Sequence, residues 1–363
     1  MDVYERFREK LNSLPIRSGE TESKVDLEIF KRLMSPEEAE VACYLSGQPE
    51  GLKTISQRAG IEVEKLAPVL EEMARKGLIF KVVSAPEPLY CLHQVMPGIY
   101  EYQVGWLSRE MVELFEEYYA EGLGKAVFTP KMPPARIVPV NKSIPAELNV
   151  LTYEEADNII DGARTICLSR CICRDTKEIM GEKCALDAPK DDICFWFDDV
   201  GEYFIEYDQG RNLSRKVSKE EAKNALRRAE EVGLVHCATN VQEGSIVICN
   251  CCSCCCAILG SITRLKIPDG VAKSNFVVEK LEDKCTDCGE CVDRCQVNAF
   301  ELTDDSTVVL KEERCIGCGV CVIKCPSEAL TMKRRPEQIA PPKDMNDLAV
   351  ALQKAHSTPG SRS

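Results

Sequence analysis

With 363 residues the chain can hold two or three domains and a sizeable core, and its 59 acidic against 46 basic residues leave a formal charge of −13, which speaks against nucleic acid as a bulk electrostatic partner. No stretch approaches eighteen consecutive apolar residues, which excludes a transmembrane helix, and the opening MDVYERFREKL is charged, so no export and a cytoplasmic location are expected. The anomaly is 22 cysteines, which in a reducing compartment imply bound metal rather than disulfides.

Residues 1–29 read as a charged helical segment, and Leu27, Phe30 and Met34 fall on one helix face. Ser35-Pro36-Glu37-Glu38 supplies an N-cap, a first-turn proline and a capping-box glutamate for a helix to about Ser46. Two short helices, LKTISQRAG and EVEKLAPVLEEMARKG, flank a turn at Gly60, and the strands LIFKVV and LYCLH follow. Three helices and a hairpin over residues 30–95 resemble a winged helix-turn-helix domain with Val63–Lys76 in the recognition position. From Glu62 to Lys76 four Glu oppose Lys65, Arg75 and Lys76, so the domain is expected to dock or dimerise rather than read DNA. Cys43 and Cys91 fit its core.

Residues 96–150 form a connector, with an amphipathic helix around ELFEEYYAEGLG and an extended, proline-bearing KMPPARIVPVNKSIP. Thr152-Tyr-Glu-Glu155 reads as a capping box opening a helix through about Ala163. A Cys-rich, mainly helical middle domain spans 151–275. Its first part holds Cys167, Cys171, Cys173, Cys184 and Cys194; its second, CNCCSCCC, holds Cys249, Cys251, Cys252, Cys254, Cys255 and Cys256. Between them a helix is capped by Ser218 and Glu221, turns Ala222, Leu226 and Ala229 inward, and stops at Gly233. Six thiols within eight residues are not passive hydrophobes, and metal is the economical explanation. Either Cys171, Cys173, Cys184 and Cys194 bind one further cubane and the 249–256 run another or a non-cubane cluster, or all share one site, or four thiolates hold zinc. Nucleophilic catalysis lacks an evident base, since His93, His236 and His356 are the only histidines.

Residues 276–333 carry CTDCGECVDRC and CIGCGVCVIKCP, each Cys-x2-Cys-x2-Cys-x3-Cys, repeated thirty residues apart. Three thiolates at this spacing wrap three corners of a [4Fe–4S] cube, and the fourth comes from the other run. One cluster should take Cys285, Cys288, Cys291 and Cys325; the second, Cys315, Cys318, Cys321 and Cys295. A zinc ribbon, the bland alternative, needs no third and fourth cysteine at these offsets. The segment resembles a bacterial-type two-cluster ferredoxin domain, which implies strands around Phe300–Leu302 and Val308–Leu310 and a helix after each three-cysteine loop. Gln296 stands where that family usually has the proline that Pro326 supplies in the second run. Residues 334–363 read as a linker, a short helix DMNDLAVALQKAH held loosely, and a disordered STPGSRS.

The order of these pieces also resembles a family of 4Fe–4S dicluster proteins of anaerobes with a winged-helix-like head and CxCR and NCCxCCC segments; Cys167 faces a non-cysteine position in its pattern and is the weakest candidate. The fold class expected is therefore α+β. The expected function is electron transfer through two [4Fe–4S] clusters, with a third iron–sulfur cluster or zinc in the middle, as a subunit or partner of a larger anaerobic oxidoreductase or flavoprotein. A redox-sensing winged-helix regulator and a reductase with an open-site central metal are the alternatives. No GxGxxG or Walker A motif offers a home for a nucleotide.

Overall fold

Apolar residues on the charged N-terminal helices have somewhere to go: α1 (Val3–Asn12) and α2 (Val25–Leu33) bury Phe7, Leu11, Ile29 and Phe30 beside α3 (Pro36–Cys43). These assignments come from a computed structural model that describes residues 1–357. The capping box forms as expected, with Glu38 N donating to Ser35 Oγ at 3.2 Å and Ser35 N donating to Glu38 Oε2 at 2.8 Å. Strand β1 (Glu50–Gly51), α4 (Leu52–Ala59), α5 (Val63–Arg75), β2 (Ile79–Val82) and β3 (Leu89–Leu92) follow, and the strands pair in the order β1-β3-β2. The left-handed Gly60 (φ 68°) lets the chain leave α4. Cys91 is buried and Cys43 half-buried in this region.

The middle segment is organised by a sheet that the expectation of a mainly helical domain did not include. Strands β4 (Ala135–Val138), β5 (Ile166–Ser169), β6 (Cys194–Phe197), β7 (Ser214–Lys216), β8 (Val235–Thr239) and β9 (Val247–Cys251) form an antiparallel sheet in the order β4-β8-β9-β6-β5-β7. The extended part of the connector thus supplies an edge strand. Period-two alternation sends Val138, Leu168, Phe195, Phe197, Ala238 and Ile248 to one face, where Ala222, Ala225 and Leu226 of the helix Lys219–Val232 cover them. Cys194, Cys237, Cys249 and Cys251 alternate with these residues and so share the other face. The capping box at Thr152 does not open a long helix. Glu154 is drawn instead to Arg334 at 2.8 Å and to Asn275 at 2.9 Å, leaving one 3-10 turn before the helix Ala156–Gly162.

Beyond the sheet, β10 (Phe276–Lys280) pairs with β13 (Leu330–Arg334), and β11 (Phe300–Leu302) with β12 (Val308–Leu310), as the ferredoxin resemblance implies. The first three-cysteine loop runs into a helix, Glu290–Arg294, whereas Val322–Lys324 is a single 3-10 turn. The left-handed Gly317 and Gly319 (φ 72° and 75°) are required: a Cβ at either would collide with Ser274 and Phe276 or with Ser143. Phe276, Val278, Ile316 and Val320 share a core with Ile137, Val235, Cys251 and Cys256. The helix Met345–Ser357 is not loose, since Leu348 and Leu352 are buried against Val241. Most of the end STPGSRS lies outside the described residues. No helix among the described residues is long and apolar enough to cross a membrane.

Candidate metal centres

The two C-terminal cysteine runs cross over as their spacing predicts. Cys285, Cys288, Cys291 and Cys325 line one cavity, closed by Pro326 and Leu330. Cys295 sits with Cys315, Cys318 and Cys321, close enough for each to act on the others. The repeat extends to the backbone amides: Ala299 N donates to Cys295 Sγ at 3.1 Å and Ala329 N to Cys325 Sγ at 3.3 Å. Such N–H donors favour the thiolate and stabilise a more negative, reduced cluster. Burial pushes the Cys318 thiol up to about 12 and the Cys315 and Cys321 thiols upward as well, so ionisation there requires a cation. Four converging thiols with amide donors fit a [4Fe–4S] group at each end. The first quartet is the outer one, because Cys288 is exposed; in the second, Cys315 and Cys321 are buried.

Gln296, in the place of the missing proline, has structural employment. Its buried Oε1 accepts from Ser253 N at 2.9 Å and Ser253 Oγ at 3.1 Å, which joins the residue after Cys295 to the loop between Cys252 and Cys254.

The middle cysteines come together, but not in the grouping that sequence order suggests. Cys171, the residue before the helix Ile172–Ile179, adjoins Cys173 and Cys194. Cys173 adjoins Cys256, whose Sγ lies 3.1 Å from that of Cys251. Cys251 adjoins Cys249, and Cys249, opposite Cys194 in the sheet register, closes a ring of six thiols. Cys184 belongs elsewhere: with Cys252, Cys254 and Cys255 it forms a tetrad whose sulfurs all lie within 4.8 Å of one another. Contact with Cys252 pushes the Cys184 thiol down, and contact with Cys184 pushes Cys252 up to about 12, as when one thiolate accepts from its neighbours.

Arg174 stands between the two sets. Only 4% exposed, it donates through Nη2 to Asn250 O at 3.1 Å and to Cys252 Sγ at 3.4 Å, and it acts electrostatically on Cys171, Cys194 and Cys184. Its Nε and Nη1 are buried without a partner. Two unpartnered guanidinium nitrogens among thiols fit an anionic metal–thiolate group, whose sulfurs would accept those protons. Six thiolates against Arg174 and Arg264 alone would be an uncompensated buried charge, so the ring could ionise in full only around metal cations.

Cys167 takes no part, being buried beside Gly201 on the flank of the sheet. Sequence reasoning missed Cys237, which faces Cys249 across the β8–β9 register and adjoins Cys251; only its position on a strand could have revealed it. It also missed Arg174, although the residue directly follows Cys173. No curated protein and no solved structure matches the chain. Residues 284–329 match the family described as 4Fe-4S dicluster domain, and with eight thiols grouped in two crossed quartets this C-terminal segment is an iron–sulfur domain.

Proposed function

We propose that the chain is an electron-transfer protein working with a larger anaerobic oxidoreductase or flavoprotein, and that it relays single electrons between its exposed C-terminal quartet and a further iron–sulfur centre held by the ring of six cysteines. A [4Fe–4S] cluster bound to each quartet supplies one-electron redox chemistry with every protein-facing position filled by thiolate. The carrying observation is continuity. Cys291 of the outer quartet acts on Cys321 of the inner one, and Cys318 of the inner quartet acts on Cys237 beside the ring. The residues provide fixed ligands, amide donors at Cys295 and Cys325, and a shared apolar core that excludes water from the inner centres. The exposed Cys288 side is the natural contact for a redox protein partner. Cytoplasmic location accords with the reduced thiols.

Purified without oxygen, the chain should contain more than eight iron and eight acid-labile sulfide, and redox titration followed by paramagnetic resonance should resolve a component beyond the two ferredoxin clusters. Zinc without sulfide would sink this reading. Eight iron with no further component would confine it to the C-terminal domain.

A further inference from the structure

The tetrad differs in kind from the other thiol sets. Within it, Cys184 Sγ lies 3.7 Å from Cys252 and 3.8 Å from Cys254, and Cys254 lies 3.6 Å from Cys255. Four thiolates around one tetrahedral zinc at about 2.3 Å stand about 3.8 Å apart. The match is to a single ion. Among the described residues this is the only set of three or more Cys, His, Asp or Glu ligands whose atoms all lie within 4.8 Å of one another. The ferredoxin quartets, where the family match implies cubanes, hold no such set, and neither does the ring, where Cys251 and Cys256 approach to 3.1 Å only as a pair. The chain therefore carries its own calibration: cluster sites are open, and the tetrad is closed.

The surroundings agree with this contrast. The backbone amides of Leu186 and Ala188 reach Cys184, so the chain folds tightly about that sulfur. Cys184 and Cys254 are half-buried, which leaves an ion a route from solvent. Four thiolates and one divalent cation leave two negative charges, and the Arg174 guanidinium at Cys252 offsets one of them. Zinc binds such a site more tightly than ferrous iron in the general order of divalent metal affinities.

We infer that Cys184, Cys252, Cys254 and Cys255 hold one zinc ion, separate from the iron–sulfur centres. Its place is structural: it fastens the loop after the helix Ile172–Ile179 to the 252–255 loop, which Gln296 ties in turn to the ferredoxin domain.

The test is elemental and spectroscopic, on the full chain purified anaerobically. One zinc per chain should accompany the iron, and zinc-edge absorption should show four sulfur neighbours at about 2.3 Å. Cys254→Ser should lower zinc occupancy at least tenfold after dialysis against a chelator and leave iron and sulfide unchanged. Should that variant fail to fold, the wild-type chain exchanged with cobalt(II) should take up one ion with the visible spectrum of a tetrahedral tetrathiolate. Zinc absent from the wild type, a cobalt spectrum of six-coordinate oxygen type, or Cys254→Ser losing iron and sulfide while keeping zinc would each overturn the inference. None of these results depends on how many clusters the ring holds.

Discussion

Gln296 illustrates how one side chain can join two centres. Gln296→Ala removes the acceptor for Ser253 N and Oγ while leaving every thiol in place. An unsatisfied amide there costs about 1–3 kcal/mol, so hydrogen exchange around residues 252–255 should speed up roughly tenfold to a hundredfold with iron content unchanged. Unchanged exchange would show that this contact is idle. Cys194 and Cys167 offer a paired contrast. Cys194→Ser should remove middle-segment iron and spare the ferredoxin signals, whereas Cys167→Ser should keep all iron and lose only about 1–3 kcal/mol for its buried hydroxyl. Equal iron loss in both would refute the ring as drawn. At this scale the sequence was legible where spacing encodes geometry: the offsets of Cys285 to Cys325 prescribe a crossed pairing that the folded chain displays. The middle cysteines carry no such code. Their neighbours are set by strand register, Cys194 opposite Cys249 and Cys249 opposite Cys237, and register cannot be read from cysteines separated by long intervening segments.

Among the elements, helices were more legible than the sheet. Caps at Ser35 and Ser218 and the stop at Gly233 appear where their chemistry put them, because capping is local. Strands β5, β6, β8 and β9 are covered on both faces, so runs such as CFWF and VHCAT show no polar alternation to betray them. Helix α5, which the resemblance to a winged helix would make the recognition helix, is partly occupied within the molecule. Tyr207 Oη donates to Glu71 at 2.7 Å, Arg75 Nη1 donates to Gln209 at 3.0 Å, and Tyr203 Oη lies against the carbonyls of Ala74 and Ile79. Tyr203→Phe should therefore weaken the contact between the head and the middle segment by about 1 kcal/mol, visible as a lower melting temperature. A melting temperature equal to the wild type's would mean that water replaces the hydroxyl. With α5 so engaged and bearing three glutamates, with Glu62 at its N-cap, duplex DNA should show no retained binding at moderate salt in either oxidation state; a sequence-specific footprint would restore the regulator reading.

Over the whole molecule, metal and apolar core are linked unevenly. One core joins Ile137 and Val235 of the sheet, Cys251 and Cys256 of the ring, and Phe276, Ile316 and Val320 of the ferredoxin domain. In the N-terminal part, Phe7, Phe30, Leu45, Ile55, Leu66 and Leu70 belong to a second cluster that extends to Cys171 and Cys194 of the ring and to Cys252 and Cys255 of the tetrad but holds no thiol of either quartet. Binding energy of a metal group that exists only in the folded state is folding energy, so stripping iron should be felt first where cysteines are part of the packing. Without iron the buried thiols keep their protons, and the two quartets, with the ring if it holds the proposed further centre, lose the cations that hold their loops together. Chelation of the anaerobic protein under mildly acidic conditions should therefore abolish exchange protection across about residues 166–335 while protection persists in α1 to α5. Far-ultraviolet dichroism should then retain a helical component. Uniform loss of protection from the first helix onward would show instead that the head depends on the metal-bearing core, and that its contact through Tyr203 and α5 is the main source of its stability.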